Sequence, residues 1–134
     1  MYKSQKGFTL VELVVVIVLL GILGVTALGK FEDLSGDASD AANSGVAAEI
    51  SSAAAINYAA NIVNGGGVAM TGANDDCAPG SLAGLFQSGA FPTGHASAPG
   101  AGACAATGDT YTCSITDTAL LGLPATATVI CTGP

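Results

Sequence analysis

Arginine is absent from this 134-residue chain, lysine occurs three times and histidine once, against ten Asp and Glu. Two of the lysines, Lys3 and Lys6, lie at the very start, so almost everything after Lys30 is acidic or neutral. With no cations to neutralise phosphates, the C-terminal part is not expected to bind nucleic acid directly. Catalytic patterns are equally thin. There is no phosphate-binding loop, no Ser/His/Asp arrangement of recognisable spacing and no paired acids in a cleft-like pattern. The lone histidine, His95, falls in the stretch Pro92-Thr93-Gly94-His95-Ala96-Ser97 and reads as an exposed loop residue. No enzymatic activity, catalytic residue, cofactor or metal site is expected. Beyond residue 7 the rings are Phe8, Phe31, Tyr58, Phe86, Phe91 and Tyr111, too sparse for a continuous aromatic path.

Half of the residues are apolar, but they come from an early Val/Leu/Ile run and from alanine. Large core side chains are scarce downstream, and a domain of that size gains from cross-links. Four cysteines, Cys77, Cys104, Cys113 and Cys131, all lie in the C-terminal half without a CxxC pair. Metal binding would call for tighter spacing or histidine partners, so two disulfides and an oxidising compartment are the better reading.

From Phe8 to Gly29 the chain reads FTLVELVVVIVLLGILGVTALG, twenty-two residues with the single charge Glu12. A helix of about 20 apolar residues crosses a bilayer. Lysines before this run, and none between Lys6 and Lys30, predict a cytoplasmic N-terminus with the bulk of the chain outside. A conventional secretory signal has its cleavage site after the apolar run, whereas here the short basic leader MYKSQKG comes before it. Removal of that leader would take the formal side-chain charge from −7 to −9 and leave the hydrophobic segment on the mature chain.

The run Lys6-Gly7-Phe8-Thr9-Leu10-Val11-Glu12, with the apolar stretch behind it, resembles the class III signal of type IV prepilins and pseudopilins. The resemblance implies that a prepilin peptidase cuts between Gly7 and Phe8 and methylates the new amine of Phe8. It also makes Glu12 the assembly carboxylate, with the Phe8 amine of a neighbouring subunit as its partner. Physical cost points the same way, because a carboxylate near the start of a membrane helix costs about 2 to 3.5 kcal/mol and calls for a partner. Where the family often carries a helix-breaking proline, this chain has Gly29, with Gly21 and Gly24 upstream. Each glycine weakens a helix by about 1 kcal/mol relative to alanine. The stretch Gly21 to Gly29 is therefore expected to unwind or bend in a filament.

After Lys30, Phe31, Leu34, Ala38, Ala42, Val46, Ala53, Ile56 and Ala60 recur at three- and four-residue steps, with Asp33, Asp37 and Asp40 opposite. This spacing predicts that the helix continues as an amphipathic one and stops at Asn64-Gly65-Gly66-Gly67. The three aspartates lack the alternating ligands of a calcium loop and read as a solvated face. Glu49 interrupts the apolar stripe; it reads as a partly solvated glutamate, with Lys30 of another subunit as an alternative partner. Residues 65 to 109 read as loop with one helical turn near Ser81 to Gln87. Residues 110–116 and 125–131 alternate as strands. Pairing them antiparallel with Cys113 opposite Cys131 sets Ile115 against Val129 on one face. That register favours Cys113–Cys131 and Cys77–Cys104, although four cysteines allow three connectivities and the sequence excludes none.

The expected fold is α+β and pilin-like: a long N-terminal helix, hydrophobic and protruding at first, then amphipathic and packed on a small antiparallel sheet. Four segments follow: leader 1–7, transmembrane or filament-core helix 8–29, amphipathic continuation 30–64, and a disulfide-stapled globular head 65–134. The resemblance implies a subunit of a type IV pilus, similar to the type IVa and mannose-sensitive haemagglutinin groups. Such a subunit polymerises with copies of itself, through prepilin peptidase and the assembly machinery, passing from the inner membrane of a Gram-negative cell to its surface. A type II secretion pseudopilin shares the motif, but its major subunits usually lack paired disulfides and carry a calcium loop. A membrane-anchored binding module that never polymerises leaves Gly7, Phe8 and Glu12 without a role.

Overall fold

A computed structural model describes residues 7–119 and 121–133, apart from the side chains of Asp33 and Asn74; the leader before Gly7 lies outside the described residues. The elements are helix α1 (Leu10–Asn64), a 3-10 turn (Asn74–Cys77), helix α2 (Pro79–Ala83) and strands β1 (His95–Gly102), β2 (Thr110–Asp117) and β3 (Ala125–Ile130). The fold is α+β. The chain divides into two units, Met1–Leu34 and Ser35–Pro134.

In the first unit every large apolar side chain from Phe8 to Leu34 is exposed, from 44% at Val14 to 89% at Phe8. This part of α1 is long and apolar enough to cross a membrane. Among the described residues none of these side chains is buried.

In the second unit the part of α1 that enters the core is the face formed by Asn43, Ala47, Ile50, Ala54 and Asn57, at alternating four- and three-residue steps. The expected stripe is not this face. Phe31, Leu34, Ala38, Ala42 and Ile56 are exposed, while Val46, Ala53 and Ala60 are half-buried. Two buried asparagines cause the difference, because each makes the core face look polar in sequence while its amide serves a backbone. Asn57 donates Nδ2–H to the Val68 carbonyl (2.8 Å) and accepts the Val68 N–H on Oδ1 (2.7 Å), and Asn43 donates to the Leu123 carbonyl (3.0 Å). The helix ends as expected at Asn64, where Gly65 takes the left-handed conformation (φ 68°) and returns its N–H to Asn61.

The sheet has the order β1-β2-β3, antiparallel throughout. Tyr111, Cys113 and Ile115 of β2, with Ala127 and Val129 of β3, point into a core completed by Ile50, Ala54, Met70 and Leu82. Strand β1 was expected to be loop, since His95–Gly102 contains only small residues apart from His95 and Pro99. Tertiary contacts override that weak propensity. Ser97 donates its hydroxyl to the Cys77 carbonyl (2.6 Å), and Thr112 Oγ1 bonds both the N–H and the carbonyl of Ala101 across the irregular stretch between Pro99 and Gly102.

The disulfides correct the expected pairing. Cys77 joins Cys113 and Cys104 joins Cys131, not Cys77–Cys104 and Cys113–Cys131. In the observed register Cys113 faces Ala127 and Ile115 faces Ala125, so β3 is displaced by four residues while every inward residue keeps its face. The displacement originates at Asp117. This buried carboxylate ends β2 by accepting hydrogen bonds from Ser39 Oγ (3.2 Å) and the Leu121 N–H (3.1 Å), which starts the connecting loop before the strand can extend further. Cys131 then falls beyond β3 and bonds Asp109 and Gly108 through its backbone. The Asp109 carboxylate draws in Ala105 and Ala106, which brings Cys104 to Cys131. The 3-10 turn leaves Cys77 over the middle of β2.

Candidate processing and assembly site

Gly7 and Phe8 are exposed, with Phe8 just ahead of the first helical residue, Leu10. A Cβ built on Gly7 meets nothing within 4 Å, so no packing among the described residues requires glycine there. The peptide bond between Gly7 and Phe8 is therefore accessible, and a demand for glycine would come from something that binds it.

Thr9 and Glu12 form a reciprocal cap on the helix start. Glu12 Oε2 accepts both the Thr9 N–H and the Thr9 hydroxyl, each at 2.8 Å, and Thr9 Oγ1 accepts the Glu12 N–H at 3.3 Å. This capping box satisfies donors that the first helical turn leaves without partners. The sequence held the signal in Thr-x-x-Glu ahead of an apolar run, and reading Glu12 only as an assembly group overlooks it. Both bonds to Glu12 use Oε2, and among the described residues Oε1 accepts none.

Among the glycines, Gly21, Gly24 and Gly29 sit in continuous helix and have open space where a Cβ would be. Between them Thr26 turns its hydroxyl back to the Leu23 carbonyl (3.0 Å) and the Ile22 carbonyl (3.3 Å), a pattern that often bends helices. The single chain nonetheless keeps its helix through this stretch.

In the head, Asp40 is not simply part of a solvated face: its Oδ1 accepts the Leu123 N–H, and together with Asn43 and Asp117 it holds the β2–β3 loop on α1. Gly122 lies so close that a Cβ would stand 2.7 Å from Ser39 Cβ. His95 is half-buried and opens β1 opposite Asp117 instead of lying in a loop, with Nδ1 3.3 Å from the Thr93 carbonyl. Tyr111 is buried, and burial, with the Asp76 charge second, pushes its phenol above the ordinary value. Among the described residues no group of three His, Cys, Asp or Glu could hold a metal ion.

A family model described as the prokaryotic N-terminal methylation motif matches residues 2–28. The chain carries the N-terminal signature of type IV prepilins. Over 51 residues it is also 49% identical to the type IV narrow pilus major component PilA5 of Thermus thermophilus, a match over 38% of this chain and 44% of that protein. The likeness thus spans less than half the length of that relative. No solved structure matches the chain.

Proposed function

We propose that the chain is the precursor of a type IV pilus subunit. A prepilin peptidase cuts between Gly7 and Phe8, the Phe8 amine is methylated, and the helix from Phe8 to Gly29 moves from the inner membrane of a Gram-negative cell into the core of an extracellular filament. The observation that carries this reading is the unbroken exposure of an apolar helix directly behind the prepilin signature, with Glu12 as its one charge. Such a surface is stable only in lipid or against similar surfaces. Filament assembly supplies the second setting.

Glu12 then has two tasks. Oε2 keeps the cap with Thr9, while Oε1 receives the charged amine of Phe8 from a neighbouring copy, pairing two charges that would each be costly alone in a dry core. The glycines at 21, 24 and 29 let the helix adjust where copies crowd together. The acidic, disulfide-bonded head forms the outer surface and sets what the filament touches. Four cysteines bound in pairs also weigh against the pseudopilin alternative.

Shearing tests the proposal. Cells of the native host should release filaments that contain the chain. Glu12→Ala should leave the membrane pool intact while the sheared pool falls at least about tenfold, the effect of about 1.4 kcal/mol or more. An empty sheared fraction from wild-type cells, or full assembly of Glu12→Ala, would overturn it.

A further inference from the structure

The connection between β2 and β3 has an unusual composition for a surface loop. Residues 119–124 read Ala-Leu-Leu-Gly-Leu-Pro, a run without a polar side chain, whereas connecting segments ordinarily lie in water and are rich in Asn, Asp and Ser. Leu121 and Leu123 are exposed at 59% and 72%. After helix α1, no other large apolar side chain among the described residues is exposed. Two leucines displayed side by side in this way mark a contact surface.

The loop is also held still. The Leu121 N–H donates to Asp117 Oδ1 (3.1 Å), the Leu123 N–H donates to Asp40 Oδ1, and the Leu123 carbonyl accepts from Asn43 Nδ2 (3.0 Å). Pro124 has no N–H to satisfy. These leucines are therefore displayed while their own backbone groups are bonded to the protein. Non-helical backbone needs that beside lipid, where an unpaired N–H or C=O is costly. The loop's nearest approach to the start of the head is at Gly36, where a Cβ would stand 3.7 Å from the Leu121 carbonyl oxygen. Gly36 comes seven residues after Gly29, so in any conformation no more than about 24 Å of chain tethers the loop to the end of the apolar span.

We propose that the β2–β3 loop is a membrane-contact site that rests on the bilayer before assembly, with Leu121 and Leu123 seated between lipid headgroups and the first acyl carbons. This rests on reading Phe8–Gly29 as a membrane span and is independent of what that span packs against later. The span supplies the anchor. Two leucines add a weaker, reversible contact, because interfacial binding scales with the apolar area buried. A head tied to the bilayer by one helix is free to turn, and the second contact fixes which of its faces meets lipid and which stays in water. Asp40 and Asp117 are engaged with the loop's N–H groups, and the exposed Asp37 makes headgroups without net negative charge the better partner.

The chain has no tryptophan, so a single introduced one reports its own surroundings. The test inserts the full chain into phosphatidylcholine nanodiscs brominated on the upper acyl carbons, as three variants: Val25→Trp in the span, Leu123→Trp in the loop, and Thr107→Trp, exposed near the opposite end of β2. Thr107→Trp controls for the affinity of tryptophan itself for interfaces. Bromine is expected to remove most of the emission of Val25→Trp and Leu123→Trp and to leave Thr107→Trp unchanged. Leu123→Trp should also emit at shorter wavelength than Thr107→Trp. A Leu123→Trp signal like that of Thr107→Trp, with Val25→Trp quenched, would overturn the loop contact and leave the span intact. Shielding of Leu123→Trp from aqueous iodide without quenching by bromine would assign the loop to a second copy and overturn the lipid contact. Quenching of all three would reduce it to unspecific adsorption of the head and overturn it likewise. Val25→Trp left unquenched would overturn the span and the contact together.

Discussion

The hydrophobic stretch and the head use apolar residues in opposite ways. From Phe8 to Leu34 large apolar side chains follow one another and every one is exposed, whereas the head has few and buries Ile50, Met70, Leu82, Ile115 and Val129 completely. The head's core is small, so it is closed by two disulfides and by side chains bonded to backbone, from Asn43, Asn57, Asp109 and Asp117. A region stabilised from within tolerates exposure to water. A region whose large apolar side chains are all exposed depends on lipid or on other copies.

Several substitutions would break or sharpen this contrast when stability is measured by denaturant titration of the full chain in detergent. The largest effect is expected from the disulfides. Replacing Cys104 and Cys131 by serine should cost the head about 3.5 kcal/mol on the chain-entropy account for a separation of 27 residues, and removing the Cys77–Cys113 link slightly more. Head stability unchanged by reduction would contradict the internal-closure account. Next comes Ile50→Ala, at about 3 kcal/mol from lost burial and the cavity left behind. Val16→Ala on the exposed stretch removes comparable apolar surface and should leave head unfolding within about 0.5 kcal/mol of wild type. Asn57→Ala should cost about 2 kcal/mol, because the N–H and carbonyl of Val68 lose their partners together. A smaller, local effect is expected from Thr9→Ala, about 1 kcal/mol of cap energy, read as faster amide exchange in the first turn of α1 and not as head stability.

Alkali offers another probe of the head. Tyr111 has a raised pKa in the folded state, so its neutral phenol is favoured by folding, and that contribution is complete below the ordinary tyrosine value of about 10. It is lost as pH climbs from there toward the folded-state value. Spectrophotometric titration should show one tyrosine that ionises only as the head unfolds, and Tyr111→Phe should remove that step.

The parts legible in sequence were those governed by local chemistry. The long N-terminal helix, its stop at Asn64 and the alternation of β2 and β3 all follow from apolar patterning and from glycine. The parts that were not legible depend on distant partners. Asn43 and Asn57 disguise the core face because what they satisfy, Leu123 and Val68, lies elsewhere in the chain. Strand β1 has little propensity of its own and forms because β2 and the Cys77 carbonyl supply its partners. The strand register looked fixed by facing cysteines, but parity permits any even shift, and the Asp117 carboxylate selects a different one. Thr9–Glu12 was readable as a capping box from its spacing alone. That both Thr9 donors converge on the single oxygen Oε2 required the coordinates.

The most direct test of the central claim is intact-mass and N-terminal peptide analysis of protein sheared from the native host, before and after reduction. The account predicts a chain that begins at N-methylated Phe8, with Cys77 linked to Cys113 and Cys104 to Cys131, gaining four hydrogens on reduction. A chain that stays in the cell envelope and still begins at Met1 would contradict it.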